Sequence, residues 1–386
     1  MKEKFLRELA DIQTGPFGSQ LHKEDYVADG TPIVTVEHLG NKMFSEQNLP
    51  RVSNTDKNRL KKYVLKQGDI VFSRVGSVDR CSYVDQKHDG WMFSGRCLRV
   101  RPTSEIDSEY LYYYFCLEET KQFVRNIAVG ATMPSINTKL LGEVVVTFPE
   151  LEQQKRISGI LSAIDSKIEV NQKINDNLEQ QAAALFSSLY NRSNTEVRYT
   201  DLIQILGGGT PKTGETAYWN GNIAFFTPKD VGTPYTFITE KTITEEGLSH
   251  CNSRLYPVNT VFVTARGTVG KVGLSGVPMA MNQSCYALVG KETHQLLVYF
   301  YTLKAVDRLK HKASGAVFDA ITTRDFDSEQ IMKLSDDDAK AFLCVAEPMF
   351  QEMLNNSIEN LRLSTLRDFL LPKLMSGEID VSSVQL

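Results

Sequence analysis

The sequence contains two copies of a Gly-Ser/Thr-Val motif, each with basic side chains beside it. The types and spacing of these residues suggest contact with a nucleic acid. Ser73-Arg74-Val75-Gly76-Ser77 is followed by Arg80, and Thr264-Ala265-Arg266-Gly267-Thr268 is followed by Lys271. Glycine lets a backbone approach another molecule closely, and arginine or lysine can reach a phosphate or a guanine edge. The candidates for DNA contact in these motifs are Arg74, Ser77, Arg80, Arg266, Thr268 and Lys271.

Two further groups of polar side chains have the composition of a nucleic-acid contact. Asp56 is the only acid between residues 51 and 66, which is typical either of a phosphate-binding patch or of a solvated loop and helix face. The candidates there are Arg51, Lys57, Arg59, Lys61 and Lys62. Near Trp219, which we interpret as a packing anchor, the candidates are Thr210, Lys212, Thr213 and Lys229. Three arginines along a predicted strand should line a face exposed to solvent or DNA: Arg96, Arg99 and Arg101.

Composition and missing motifs argue against a catalytic centre. The 386 residues include 43 Lys+Arg and 47 Asp+Glu, so a nucleic-acid face has to be a local patch. The chain lacks a Walker A phosphate loop, a His-Glu-x-x-His motif and a Gly-x-Ser-x-Gly motif. Its six cysteines have no Cys-x-x-Cys spacing, and no apolar run reaches about 18 residues. We therefore expect a cytoplasmic binding protein with no metal or cofactor of its own and no membrane partner.

The sequence repeats itself at two offsets. At an offset of 185 residues, Ile136-Asn137-Thr138-Lys139 matches Ile321-Thr322-Thr323-Arg324, and Gly130-Ala131 matches Gly315-Ala316. At an offset of 191, the apolar run before the first Gly-Ser/Thr-Val motif matches the run before the second. Chance could explain the match between two amphipathic helices. It does not explain a matching strand that is followed by a matching loop motif in both halves. The pattern therefore indicates an internal duplication.

Each half begins with a segment rich in Gly, Pro, Thr, Val and aromatic residues and ends in a helical segment. Short apolar runs predict strands at 31–36, 69–73, 143–148 and 260–264. Helical stretches are predicted at 108–126 and 294–312. The predicted segments are domains at 1–150 and 197–335, helical regions at 151–190 and 336–377, a linker at 191–196 and a tail at 378–386.

Apolar residues recur every 3.5 positions in both helical regions, which is coiled-coil spacing. Proline disrupts a helix interior, so Pro348 predicts a short helix at about 337–346 and a long one from Pro348. By the repeat, the first copy has a short helix at 151–161 and a long one from about 163 to 190. Two asparagines per helix either fix the register or face solvent. The predicted helix-helix seam is Ile164, Ile168, Asn171, Asn175, Leu178, Leu185, Met349, Met353, Asn356, Asn360, Leu363 and Leu370.

Several motifs, taken together with their order along the duplicated chain, resemble one known family over essentially the whole chain. They are Thr14-Gly15-Pro16-Phe17-Gly18-Ser19-Gln20-Leu21, Gly207-Gly208-Gly209-Thr210-Pro211, Thr227-Pro228-Lys229-Asp230-Val231, Pro149-Glu150-Leu151-Glu152-Gln153-Gln154-Lys155-Arg156-Ile157 and Leu370-Leu371-Pro372-Lys373-Leu374-Met375-Ser376-Gly377. The chain resembles the specificity subunit of Type I restriction-modification enzymes.

The resemblance implies an α+β fold, in which two target-recognition domains of mixed α/β build are separated by an antiparallel coiled coil of two long helices. It implies that each domain reads one half of a split site in double-stranded DNA. The helices would set the gap, since about 28 residues span about 42 Å, or roughly 12 base pairs.

The resemblance also implies the partners. Two methyltransferase subunits, which bind S-adenosylmethionine, would dock on outward helix positions such as Gln154, Lys155, Lys173 and Glu179. A restriction subunit that uses ATP and Mg²⁺ would complete the complex.

Three alternatives share some of these features. The first is an interaction scaffold or silent specificity subunit with degenerate recognition domains. The second is the specificity subunit of a related Type II enzyme with a bipartite site. The third is a nuclease-methyltransferase fusion, which the missing motifs disfavour.

Overall fold

One strand arrangement occurs twice along the chain. The computed structural model describes residues 1–386 except Phe17, Ser19, Asn41, Thr233, 313–319 and 383–386. Phe17 and Ser19 of the first motif, Gly315 and Ala316 of the predicted repeat and the end of the predicted tail therefore lie outside the described residues.

The elements of the first half are as follows. The strands are β1 (Lys2–Phe5), β2 (Ala10–Thr14), β3 (Tyr26–Val27), β4 (Thr31–Val34), β5 (Arg51–Val52), β6 (Ile70–Ser73), β7 (Cys81–Tyr83), β8 (Met92–Phe93), β9 (Cys97–Pro102) and β10 (Val145–Phe148). The α-helices are α1 (Leu6–Leu9), α2 (Asn54–Arg59), α3 (Ser108–Cys116), α4 (Glu118–Ile127), α5 (Thr138–Gly142) and α6 (Leu151–Arg192).

The second half has a closely similar set of elements. The strands are β11 (Thr195–Arg198), β12 (Ile203–Gly207), β13 (Trp219–Phe226), β14 (Tyr235–Thr236), β15 (Lys241–Ile243), β16 (Val261–Thr264), β17 (Val272–Ser275), β18 (Met279–Met281), β19 (Cys285–Gly290) and β20 (Gln330–Lys333). The α-helices are α7 (Tyr199–Leu202), α8 (Glu245–Ser249), α9 (Gln295–Lys312), α10 (Thr323–Asp327) and α11 (Asp336–Ser376).

Strand pairing confirms the duplication. The main sheet of the first half has the order β2-β9-β6-β7, and that of the second half has the order β12-β19-β16-β17 with β14 added at the edge. β1 pairs antiparallel with β10, as β11 does with β20. β4 pairs parallel with β8, as β13 does with β18. The protein thus has the predicted α+β class with two related mixed α/β domains.

A hydrogen bond between distant segments recurs at the positions that the repeat matches. The amide of Ile136 donates to the carbonyl of Arg74 at 2.9 Å, and the amide of Ile321 donates to the carbonyl of Ala265 at 2.9 Å. The repeat in the sequence therefore corresponds to a repeat of tertiary contacts.

The strands predicted from apolar runs are confirmed as β4, β6, β10 and β16. The helix predicted at 294–312 is confirmed as α9, but the stretch at 108–126 forms α3 and α4 instead of one helix. Leu117 separates them because its ψ of 134° is extended, which a helix cannot accommodate.

The prediction of a short and a long helix in each helical region is wrong. α6 and α11 are continuous over 42 and 41 residues. Pro348 has no amide hydrogen, so the carbonyl of Cys344 lacks its usual partner in the helix. Both residues are exposed on the solvent side of α11, where water can bond to this carbonyl. The predicted linker at 191–196 is also too long, because only Ser193 and Asn194 separate α6 from β11.

The chain divides into two compact units. The first contains Met1–Glu169 and Asn360–Leu386, and the second contains Val170–Glu359. Helical residues belong to the core of each unit: Ile157, Leu161, Leu371, Leu374 and Met375 in the first, and Ala182, Phe186, Leu189, Phe342 and Ala346 in the second. Val381 is buried in the first core, so the described part of the predicted tail packs on that unit.

Candidate nucleic-acid interface

Each domain carries a hairpin whose connecting loop contains the Gly-Ser/Thr-Val motif. In the loops 73–80 and 264–271, the amide of the first residue donates to the carbonyl of the last at 2.9 Å. Gly76 and Gly267 have φ angles of 75° and 83°, a left-handed conformation that favours glycine. Both glycines are exposed. The duplication therefore builds the same solvent-facing loop in both domains.

A second glycine position allows two backbone segments to meet beside this loop. A Cβ on Gly15 would lie 2.1 Å from the carbonyl oxygen of Ser94, and a Cβ on Gly208 would lie 2.1 Å from that of Asn282. No side chain fits at either distance. Gly15 and Gly208 are thus explained by close packing of one backbone segment on another.

The turn that contacts these glycines also holds the hairpin loop. The amide of Arg74 donates to the carbonyl of Arg96 at 2.8 Å, and the amide of Ala265 donates to that of Ser284 at 2.8 Å. In each domain three separate chain segments therefore converge: the glycine-rich segment, the turn before β9 or β19, and the hairpin loop.

In the first loop, the predicted DNA-contact arginines are held by backbone carbonyls. Nη1 of Arg74 donates to the carbonyl of Gly95 at 3.1 Å, and Nη2 of Arg80 donates to the carbonyl of Leu39. Ser77 is exposed. The structure thus gives both arginines a part in shaping the loop, and their contact with DNA stays a prediction.

The second loop presents its basic side chains more openly. Arg266, Thr268 and Lys271 are all exposed, and the hydroxyl of Thr268 donates to the carbonyl of Pro228 at 3.1 Å. Arg266 also forms an isolated β-bridge with Ala320, which fixes its backbone. An exposed guanidinium on a fixed backbone is suited to reaching a phosphate or base edge.

The basic patch at 51–66 lies on β5, α2 and the short 3₁₀ turn that follows them. Its arginines have partners: Arg51 donates to the carbonyl of Gly30 at 3.0 Å, and Arg59 pairs with Asp56 at 2.8 Å. The three lysines predicted to contact DNA are less enclosed: Lys57 is half-buried, and Lys61 and Lys62 are exposed.

The group around Trp219 separates into packed and exposed members. The Trp219 ring meets Phe225 edge to face at 5.6 Å, and its Nε1 donates to the carbonyl of Lys212 at 3.2 Å, as expected of a packing anchor. Thr210 donates to Oε1 of Gln283, which joins this segment to the turn before β19. The exposed members are Lys212, Thr213 and Lys229.

The prediction that Arg99 and Arg101 line a face exposed to solvent or DNA is wrong. Arg99 is buried and donates to Asp11 and, at 3.2 Å, to the carbonyl of Lys62. Arg101 binds Asp69 through two hydrogen bonds of 2.7 and 2.6 Å. The alternation of charged and apolar residues predicts which side chains of a strand share a face. It does not show that Asp11 and Asp69, which are distant in the chain, neutralise the arginines on that face.

Replacing Arg101 by methionine should lower the free energy of unfolding by about 2–3 kcal/mol, because it leaves the buried carboxylate of Asp69 without its counter-ion. The Asp69 side chain is only 2% exposed, while that of Arg101 is 30% exposed, which reduces the expected cost. Urea denaturation measures the change, and Lys61→Met on the exposed patch is the control. Equal stabilities of the two variants would contradict the burial argument.

Two matched cysteines, Cys97 and Cys285, begin β9 and β19. Burial raises the pKa of each thiol to about 12. Both are therefore neutral at physiological pH, and neither is suited to act as a nucleophile or metal ligand. Among the described residues, no cluster of His, Cys, Asp and Glu could hold a metal ion.

Sequence reasoning missed Glu37, which lies beside the converging segments of the first domain. A cavity of about 520 Å³ is lined by Pro16, Gly18, Leu21, Tyr26, Thr35, Val36, Glu37, Ser94, Gly95 and Arg96. The Glu37 carboxylate accepts from the Thr35 hydroxyl at 3.1 Å and is exposed. Phosphates attract basic side chains and repel carboxylates, so composition alone does not indicate an acidic residue at this position.

The two long helices run antiparallel where they pair within each unit. In the second unit, Asn175 donates to Ser357 at 3.2 Å and accepts from Asn356 at 3.0 Å, while Asn171 donates to Glu359 at 2.7 Å. In the first unit, Asn360 donates to the carbonyl of Ile168 at 3.4 Å. The asparagines of the predicted seam therefore bond to the facing helix instead of turning to solvent.

The apolar members of the predicted seam are distributed unevenly. Met353 is fully buried in the second core, and Leu178, Leu185 and Met349 pack against it. Leu370 packs against the first core, whereas Ile164, Ile168 and Leu363 are half-buried. The seam thus merges with the second core at Leu178, Leu185, Met349 and Met353, and with the first core at Leu370.

Two of the outward positions suggested for partner docking are in fact enclosed. Gln154 is buried, where it accepts from the amide of Asp107 at 2.8 Å and donates to the carbonyl of Pro149 at 2.9 Å. Glu179 is half-buried and accepts from the Tyr299 hydroxyl at 2.9 Å. Burial raises the pKa of the Glu179 carboxyl. Heptad spacing missed these contacts because the domain helices pack on the pair. Lys155 and Lys173 are exposed.

A duplicated α+β fold with a matching polar loop in each copy defines a protein with two equivalent candidate nucleic-acid faces. The family described as the Type I restriction modification DNA specificity domain matches residues 1–180 and 191–333. The chain belongs to this family, whose members are the non-catalytic specificity subunits of these systems.

Individual relatives agree with this assignment. The chain is 25% identical over 404 residues to the Type I restriction enzyme HindI specificity subunit of Haemophilus influenzae, covering 82% of this chain and 88% of that one. It is 24% identical over 312 residues to the MjaIX specificity subunit of Methanocaldococcus jannaschii, covering 74% and 72%. The crystal structure of the S subunit from M. genitalium matches the fold with a TM-score of 0.60 at 16% identity, covering 97% and 95%.

In the part of the chain that the structure describes, no helix is long and apolar enough to span a membrane.

Proposed function

We propose that this chain is the DNA-recognition subunit of a Type I restriction-modification complex and that each domain reads one half of a bipartite site. The observation that carries the proposal is the duplicated interface. The same three segments converge in both domains, with the same hydrogen bonds at Arg74 and Ala265. Two copies of one reading surface are suited to two separate half-sites. The side chains around them differ, as two different half-sites require.

The helix pair is proposed to set the gap between half-sites and to bind two methyltransferase subunits. Exposed apolar side chains on α6 and α11 support the second role, because large apolar groups on a surface favour protein contacts. They are Leu151, Val170, Ile174, Val345, Leu361, Leu366 and Phe369.

The cofactors of the complex are assigned to the partners. S-adenosylmethionine would bind the methyltransferases, and ATP and Mg²⁺ would bind the restriction subunits. The proposed ligand is double-stranded DNA, and the proposed location of the complex is the cytoplasm.

The test is selection of DNA from a random library by the complex of this chain with its methyltransferase. The proposal expects enriched sequences with two defined segments separated by an undefined gap of constant length. Enrichment of a single continuous motif, or no enrichment by a stable complex, would overturn it.

Replacing Arg266 by alanine should weaken binding to the selected site by about 5- to 150-fold, because one contact to a guanine edge contributes about 1–3 kcal/mol. Fluorescence anisotropy with the intact complex measures the dissociation constant. Arg198→Ala is the control, since Arg198 is also exposed but lies on β11, outside the converging segments. Affinity within twofold of wild type would remove Arg266 from the interface.

A further inference from the structure

The turn after the parallel strand of each domain is closed in the same way in both copies. The amide of Thr35 donates to Nδ1 of His38 at 3.0 Å, and the amide of Thr227 donates to Oδ2 of Asp230 at 2.8 Å. The strand that precedes each turn pairs in parallel with an equivalent partner, β8 or β18. The two turns are therefore structural equivalents, although one uses an imidazole and the other a carboxylate.

The exposed residue within this turn has opposite charge in the two copies. Glu37 is three residues after the end of β4, and Lys229 is three residues after the end of β13. The Lys229 side chain is 79% exposed, and it forms an ion pair with Glu240 at 3.4 Å. The bonds from Thr35 to His38 and from Thr227 to Asp230 close the two turns without either charge, although the Glu37 carboxylate also accepts from the Thr35 hydroxyl at 3.1 Å. Glu37 and Lys229 are both exposed, so each can exchange its surface partner for a base edge.

Both turns adjoin the hairpin loop of their own domain. Glu37 lines the 520 Å³ cavity together with Arg96, whose carbonyl accepts from the amide of Arg74 in the loop. In the second domain, the hydroxyl of Thr268 at the loop donates to the carbonyl of Pro228, the residue before Lys229. Each charge therefore lies at the edge of the converging segments.

A carboxylate at a DNA-binding surface restricts what it can contact. Phosphates repel it, so its favourable partners on DNA are exocyclic amino groups, N4 of cytosine and N6 of adenine. A lysine at the same position instead donates to O6 and N7 of guanine. The opposite charges on the two equivalent turns thus predict different bases: cytosine or adenine for the carboxylate, and guanine for the lysine.

We propose that Glu37 and Lys229 occupy the same reading position in the two domains and determine one base of each half-site. Glu37 selects a base with an amino group in the major groove, and Lys229 selects guanine. This assignment rests on the proposed function and adds to it the residues that distinguish one half-site from the other.

The experiment compares methylation motifs made by the full complex with its methyltransferase. Glu37→Ala should lower the base preference at one position of one half-site about tenfold and leave the other half-site unchanged. Lys229→Ala should do the same in the other half-site. Glu37→Lys should change the preferred base at that position to guanine. Glu3→Ala, an exposed acid on β1, is the control.

Unchanged base preferences in both alanine variants would overturn the assignment while leaving the proposed function intact. A uniform loss at all positions would also overturn it, because that result indicates a phosphate contact. If the wild-type complex produces no bipartite motif, the proposed function fails and the assignment fails with it.

Discussion

Replacing Phe186 by alanine should lower the free energy of unfolding of the second unit by about 3–5 kcal/mol. Phe186 is 1% exposed on α6, and its ring lies 5.0 Å from Phe300, 5.4 Å from Tyr301 and 5.4 Å from Phe342. These rings are held on α9 and α11, so they cannot easily move to fill the space that the Phe186 ring would leave. The truncation therefore removes buried area and opens a cavity.

Calorimetry or urea denaturation of the purified chain measures the loss. Phe369→Ala is the matched control, because the Phe369 side chain is 60% exposed on α11 and should contribute less than about 1 kcal/mol. A loss below about 1 kcal/mol for Phe186→Ala would mean that the aromatic cluster does not attach α6 to the second domain.

Removing one heptad from both long helices should shorten the gap of the recognised site by up to about three base pairs. Deletion of 168–174 together with 357–363 takes about 10.5 Å from each helix, and it preserves the four-three spacing of the seam. It retains the contact between Asp165 and Arg367 at 2.8 Å and that between Asn175 and Asn356 at 3.0 Å. The shortened pair should therefore still assemble.

The gap and the half-sites are read together from the methylation motif of the variant complex. A matched insertion of one heptad in each helix is the companion variant and should lengthen the gap. Half-sites that change while the gap stays constant would contradict the proposal that the helices set the spacing.

Periodic and local signals predicted much of this fold. The apolar runs predicted β4, β6, β10 and β16, and the repeat correctly predicted that both halves share one topology. The 3.5-residue period predicted two paired helices. The break predicted from Pro348 was wrong, because this proline lies on the solvent face of α11, where water can bond to the carbonyl that lacks its helical partner.

The candidate interface was less accessible to sequence reasoning. The Gly-Ser/Thr-Val loops were recognised because they recur, but the partner of each arginine depends on segments distant in the chain. Arg101 pairs with Asp69, and Arg80 donates to the carbonyl of Leu39, contacts that only tertiary packing brings together. Glu37 was missed for a related reason. Its equivalence to Lys229 depends on strand register and turn closure, since the residues themselves have opposite charge.

The most direct test of the central claim is a map of N6-methyladenine in DNA from cells that co-express this chain with its neighbouring methyltransferase gene. The account predicts methylation on both strands of a split motif whose two defined segments are separated by a gap of constant length. A stable complex that leaves the DNA unmethylated, or that methylates one continuous motif, would contradict it.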